Sequence, residues 1–477
     1  MRRIAKLLGL GLVVFALWGC GGQTQSESAS RAAGCPFITK WKGEAGQELK
    51  IPIVGTYTLT WYNESTPDER HTEQVTVGAD EGEVCSFVTN PYTLTLPTDG
   101  IYVIEAGPEG VECMLIHGGK SEESASSLLV VVQFGDVVWK RLDMAFSGCY
   151  NMQFSKDIDT PNLSQCTSLA GMFKDCSYFN SPLEHWDVSH VTDMCGMFNG
   201  CNLFNQPLNG WNVGKVCDMS AMFYCCEQFN YPLDKWNVSS VTNMTALFVD
   251  CCAFNQPLES WNVSQVISME EMFKGCSSFN QPLNAWDVSK VENMNGMFSG
   301  CKRFNQPLDK WDVGSVTNMR EMFTECSVFN QLLNGWNVGN VLDMSGMFYG
   351  CEQFNSPLDK WDVSSVTNMI DMFVSCTAFN QPIESWNVHH VVSMEWMFRD
   401  CSSFNQPLNA WNVRKVENLN GMFFGCTAFN QSLEAWEINQ LPQNGMQSMF
   451  YHCPAGKLPF IEKWKEVGYE NLDTNEF

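Results

Sequence analysis

Positive charge is scarce in this 477-residue chain: 28 Lys and Arg stand against 53 Asp and Glu, a formal net charge of −25. That excess repels nucleic acid and anionic lipid surfaces, and so argues against both as partners of the folded part. Long apolar runs are missing as well. The run from Leu7 to Trp18 is too short to span a bilayer as a stable helix. Catalytic signatures are absent: there is no nucleophile elbow, zinc-protease helix, P-loop or dinucleotide glycine fingerprint. No Cys-x-x-Cys pair occurs among 22 cysteines, so no metal site is expected, and no cofactor. Asp and Glu fall mostly in variable slots such as Glu184, Asp234 and Glu321, where a solvated face is the simpler reading. The chain therefore reads as non-catalytic. Aromatic residues, at 13%, are too plentiful for a disordered chain.

What is present is a repeat. From Phe179 the pattern Phe-Asn-Gln-Pro-Leu-x-x-Trp-Asn/Asp-Val-x-x-Val-x-x-Met-x-x-Met-Phe-x-x-Cys-x-x recurs every 25 residues, with units starting at Phe179, Phe204, Phe229 and on to Phe404. An eleventh copy at Phe429 gains two residues around Pro442–Met446, and the array ends near residue 455. A fixed period of this size marks a solenoid, in which each unit stacks on its neighbours and cannot bury its apolar face alone. Val191, Met194, Met197, Phe198 and Cys201 fall on one helical face. The residue before Met194 and its equivalents is always Asp, Asn or Ser, a good helix N-cap, which predicts a short helix there. Asn180–Val188 is expected to hold a short strand, stacked into a parallel sheet. The asparagine at Asn180 and every equivalent through Asn430 suits a buried in-register column satisfying turn backbone. The expected fold class is an α/β solenoid with one short parallel strand and one short helix per repeat.

A second period lies over the first. Residues 204–303 recur as 329–428 with 75 of 100 positions identical, variable slots included. Duplication of the middle fits a protein whose length and surface matter more than one unique constellation.

The unit resembles the roughly 26-residue repeat of bacterial surface lipoproteins, which is related to BspA-like leucine-rich repeats. The resemblance covers about two-thirds of the chain. It implies a leucine-rich-repeat-like fold on a cell-surface protein, with adhesion or host interaction as its role. This chain departs from the pattern by placing Cys201 and its equivalents where the family has a small residue, often Ala.

Around the array the chain divides as follows. Residues 1–19 read as a signal peptide, with basic Arg2, Arg3 and Lys6 before the apolar run. Leu17-Trp18-Gly19-Cys20 resembles a lipobox, which implies cleavage after Gly19 and a diacylglycerol anchor with N-acylation on Cys20; Gly21 would permit outer-membrane sorting in a two-membrane envelope. Residues 20–34 form the lipidated cysteine and a flexible polar tether. Residues 35–135 contain β-type runs at Tyr57–Tyr62, Gln74–Val77, Tyr92–Leu96, Ile101–Glu105 and Leu128–Gln133 between turn residues, which predicts an all-β sandwich. Phe37–Trp41 and Gly100–Ile104 resemble the PKD-like domain that precedes this repeat in other chains. Cys85 and Cys113 are a possible pair within it. Residues 136–178 are a degenerate N-terminal cap and repeat, 179–455 the repeat array, and 456–477 the C-terminal cap.

Two columns invite a chemical reading. Thirteen cysteines, Cys149, Cys176 and on every 25 residues to Cys426, then Cys453, are expected as buried thiols, with strained disulfides as the alternative. Trp186 to Trp436 form a column expected in the core; exposed, it would be a ladder for sugar rings and make the chain a glycan-binding module. His389-His390 reads as a surface pair. The partner surface, toward host or envelope proteins with glycans as the alternative, is expected in the variable slots, for example Glu184, His185, Asp234, Lys235, Trp396 and Arg399.

Overall fold

The computed structural model describes residues 34–78, 88, 91–116, 122–438, 441–442, 444–469 and 471–472. Cys20, its tether and Cys85 lie outside them.

The first part is β structure. Its strands are β1 (Phe37–Gly43), β2 (Glu48–Ile51), β3 (Ile53–Asn63), β4 (His71–Val77), β5 (Tyr92–Thr95), β6 (Gly100–Ala106), β7 (Val111–Met114), β8 (Leu128–Gln133) and β9 (Gln153–Phe154), with α1 (Glu122–Ala125) before β8. One sheet runs in the order β4-β3-β6-β1-β8-β9, with β7 also on β3; β2 and β5 form a separate antiparallel pair. The five expected β runs lie in β3, β4, β5, β6 and β8. In β1 every second residue is buried, because alternate side chains of a strand point to opposite faces. Pairing is antiparallel except where β9 joins β8, and β9 comes from the start of the array. The sheet therefore runs on into the repeats. Phe37 meets Trp139 edge-on at 5.1 Å and Phe134 meets Trp186 at 5.5 Å, so one apolar core continues across the junction.

The repeats correct the sequence expectation. Among the described residues no unit from 179 to 438 contains a helix or a multi-residue strand. The segment from Met194 to Cys201 is a run of turns whose N–H groups alternate in destination. Met194, Gly196, Phe198 and Gly200 donate to Asp218, Ser220, Met222 and Tyr224 of the next unit, at 2.8–3.0 Å. Met197, Asn199 and Cys201 donate to the carbonyl three residues back in their own unit. Every second peptide is thus turned along the array, which a helix forbids. The turning needs left-handed backbone at two slots per unit, Gly196 (φ 60°) and Gly200 (φ 78°) in the first. Helical spacing misled because successive i to i−3 turns place Met194, Met197 and Cys201 on one side just as a helix would.

Asn180–Val188 is not a strand either. The parallel bridging between units is a single residue wide and sits in the Asp193 column, from Ser168 and Asp193 through to Asn418. Beside it the Thr192 column forms its own ladder, with Cys217 N–H on the Thr192 carbonyl and Thr242 N–H on that of Cys217. Side chains tie the rest of the unit to its neighbour. Asn205 N–H donates to Asn180 Oδ1 at 2.9 Å, Trp211 Nε1 to the Leu183 carbonyl at 2.9 Å, and Cys226 Sγ to the Phe198 carbonyl at 3.1 Å. All three contacts recur along the array. The asparagines are not buried as expected; Asn180 and Asn230 are exposed and Asn280 is half-buried.

Both ends reuse the same bonds. Met144, Phe146 and Gly148 already donate forward to Ala170, Met172 and Lys174. At the other end, Ser448 and Phe450 donate to Asn471 and Leu472, which stand in for a further unit. The helix α2 (Pro459–Glu466) covers that end with Phe460, Ile461 and Trp464.

Candidate interaction surface

Columns are named below by their member in the first unit. The thiol and tryptophan columns face inward. Cys176 to Cys426 are 0% exposed and free. Burial pushes their pKa values upward, as for Cys301, where the adjacent Cys326 adds to the effect. Trp186 to Trp436 are at most 5% exposed, with indole N–H groups from Trp211 onward spent on carbonyls of the preceding unit. The reading of this column as a sugar-binding ladder is therefore overturned: no ring face is offered to solvent.

The six candidate surface residues fall on two separate faces. Glu184, His185, Asp234 and Lys235 are exposed and share one face, two units apart. Glu184 lies 3.8 Å from His185. Asp234 accepts Asn209 Nδ2 at 2.8 Å, and the Lys235 N–H donates to Asn209 Oδ1 at 2.9 Å. The Glu184 column is mostly acidic, with Glu259, Asp309, Asp359, Glu384 and Glu434 further along. Asn284–Asp309 and Asn334–Asp359 repeat the Asn209–Asp234 bond.

Trp396 and Arg399 belong to the other face, made by the Cys195, Gly196, Asn199 and Gly200 columns. They are half-buried. The Arg399 guanidinium sits 4.6 Å over the Trp396 ring and 5.3 Å from Phe424, and Phe424 lies 4.8 Å from Tyr451. A side chain in the Gly196 column leans over the next unit. A Cβ on Gly421 would stand 2.4 Å from the Trp396 ring, and one on Gly346 would stand 3.1 Å from Glu321 Cγ. Glu271, Glu321 and Trp396 are each followed by glycine in the next unit, while Asp371 is followed by Trp396.

Where that alternation leaves Gly346 between Glu321 and Asp371, a notch of about 350 Å³ opens. Tyr349 and Ile370 supply apolar wall, and Tyr349 is 40% exposed. Thr324 Oγ1 donates to the Gly346 carbonyl at 2.7 Å and fixes one edge. Arg320 holds Glu321 Oε1 through Nε and Nη2, at 2.9 and 2.8 Å. Among the described residues no hydrogen bond or ion pair reaches the Asp371 carboxylate. Burial raises its pKa, and Glu395 adds to the shift. The sequence reading named Trp396 and Arg399 but missed this notch. Its signal was the alternation Glu271, Gly296, Glu321, Gly346, Asp371 in one column.

His389 and His390 pack ring to ring at 3.7 Å and contact Asn387 Oδ1 and the Ser364 carbonyl. Among the described residues no helix is long and apolar enough to cross a membrane.

A family model described as "Mycoplasma protein of unknown function, DUF285" matches three overlapping stretches of this chain, residues 140–259, 245–360 and 344–464. No curated protein and no solved structure matches it.

Proposed function

As this chain belongs to the DUF285 family of bacterial repeat proteins, we propose that it is a non-catalytic display scaffold that binds other proteins at the cell surface. In this reading the units form a solenoid, and Cys20 carries the lipid that holds it to the membrane. The observation that carries the reading is the division of labour within the unit. Phe, Leu, Trp, Val, Met and Cys columns are buried and nearly invariant, while the Glu184 and His185 columns reach solvent and change from unit to unit, and the Gly196 and Asn199 columns, buried or half-buried except at Tyr349, change as well. Such a body supports many surfaces on one core, because each unit needs only its neighbours. The partners are host or envelope proteins.

Two measurements test it. A Cys20→Ala chain, expressed in a lipoprotein-processing bacterium, is expected in the medium rather than with the membrane fraction. The mature chain, immobilised, is expected to bind host cells or matrix proteins saturably, with soluble chain competing. No saturable binding to cells, matrix or envelope proteins sinks the display reading; membrane retention of Cys20→Ala sinks the anchor.

A further inference from the structure

The duplicated block isolates one place on the surface. Between 204–303 and 329–428 there are 100 − 75 = 25 differences, and nine of them fall in the Cys195, Gly196, Asn199 and Gly200 columns, which hold only 16 of the 100 positions. Three of the nine build the notch: Gly346 replaces Ala221, Ile370 replaces Thr245 and Asp371 replaces Ala246. Outside the block, Glu321 stands 125 residues after Gly196. The aromatic wall is common to both copies, as Tyr224 and Tyr349. The second copy has therefore kept a ring and gained the Asp371 carboxylate and a glycine floor, and the unit before it supplies Glu321.

We propose that the notch around Gly346 is a docking site for a lysine or arginine side chain presented by a partner protein, a proposal that rests on the display reading above. The apolar stem of such a side chain fits against Tyr349 and Ile370, as long cationic side chains do on apolar surface. Its charged end meets the Asp371 carboxylate, which among the described residues takes no hydrogen bond or ion pair and feels Arg399 only at longer range, and Glu321, whose Oε2 is left over from the Arg320 contact. Charge-assisted hydrogen bonds of this kind outweigh neutral ones. The Tyr349 ring adds a cation–π face, and an aromatic residue flanked by polar groups is the usual make-up of a binding hot spot. The floor stays open for a geometric reason: Gly346 has φ 61°, and a Cβ there would crowd Glu321. The net charge of −25 favours a basic partner in approach as well as in contact.

The test uses the mature chain, a fluorescent peptide of alternating glycine and lysine, and a glycine–glutamate peptide as control, read by anisotropy at low salt. Asp371→Asn and Tyr349→Ser, both at solvent-reaching positions, are each expected to weaken the lysine peptide roughly tenfold, equivalent to ~1.4 kcal/mol. Asp312→Asn, an exposed carboxylate outside the notch in a slot that other units fill with asparagine, is expected to leave it unchanged. Equal binding by Asp371→Asn and wild type overturns the proposal, as does an equal loss in Asp312→Asn, which would mean loose attraction to net charge. The same variants are then tried against whichever matrix or envelope protein binds the wild type. Undiminished binding there removes the notch and leaves the display reading standing. A lysine-peptide effect confined to the notch variants, with no protein bound by the wild type, supports the notch and removes the display reading.

Discussion

A thiol in the Cys201 column does two things at once. Cys301 fills a fully buried slot, and its Sγ donates to the Phe273 carbonyl at 3.0 Å. That carbonyl also accepts the Cys276 N–H, so the thiol completes a second lone pair rather than replacing a backbone bond. Alanine at this slot would leave the pair unmade; the larger thiol also fills more of the space. Burial keeps these thiols protonated, and the thiolate is the reactive form. Native chain treated with a thiol reagent is expected to label Cys217 and Cys252, which are exposed, and to spare the column until denaturant is added. Fast native labelling of the column, or missing thiols after denaturation without reductant, would show the column open or cross-linked. Alkali should follow the same logic. Unfolded thiols ionise near 9.0, and the folded ones only well above it. Their contribution to stability is whole below that pH and falls as pH rises past it, because the unfolded state then loses protons that the folded state keeps.

At the scale of one unit, the bonds that matter run to the neighbour. The Asn180 column shows this most plainly: Asn280 Oδ1 takes the Asn305 N–H at 3.0 Å and Gln306 Nε2 at 3.1 Å. Asn280→Ala leaves that half-buried N–H without its acceptor and is expected to cost about 1–3 kcal/mol. Asn280→Asp keeps an acceptor and should cost less. Thermal or urea melts of the two variants decide this, and equal loss would assign the asparagine a packing role instead. The Asp193 column carries a related lesson. Its Asp, Asn and Ser residues were legible as capping types, and they do accept the N–H two residues on, as Asp193 Oδ1 does from Cys195 at 2.9 Å. What they open is a turn, since the next peptides diverge to the following unit. The left-handed slots were the available sign. Glycine recurs at 196 and 200, 296 and 300, 346 and 350, and 421 and 425, a spacing that suits a pair of αL positions and weakens any helix.

Across the whole molecule the units are interchangeable in register but not in surface bulk. Removing 279–328, two units, sets Gly346 beside Glu271, as Gly296 is now. Removing 279–303, one unit, sets Glu321 there instead, two carboxylates in slots built for one. Both deletions keep the 25-residue phase, so both chains are expected to fold. The shorter chain lacking two units is nonetheless expected to melt higher than the chain lacking one. Circular dichroism melts settle the order; the reverse order would mean that length outweighs fit between neighbouring units.

From the sequence alone came the period, the apolar columns that would be buried, the β runs of the first part and the duplicated block, because hydrophobic spacing and identity are properties of one dimension, whereas the asparagine column expected inside lies exposed or half-buried. The buried face of the unit was legible for the same reason: residues three and four apart meet on one side in a helix and in a succession of tight turns alike. Which of the two the chain adopts, and so which slots reach solvent, is decided by where each N–H finds its carbonyl. In this protein that carbonyl lies 24 residues ahead, as for Met194 and Asp218, and only the stacked structure brings it within reach.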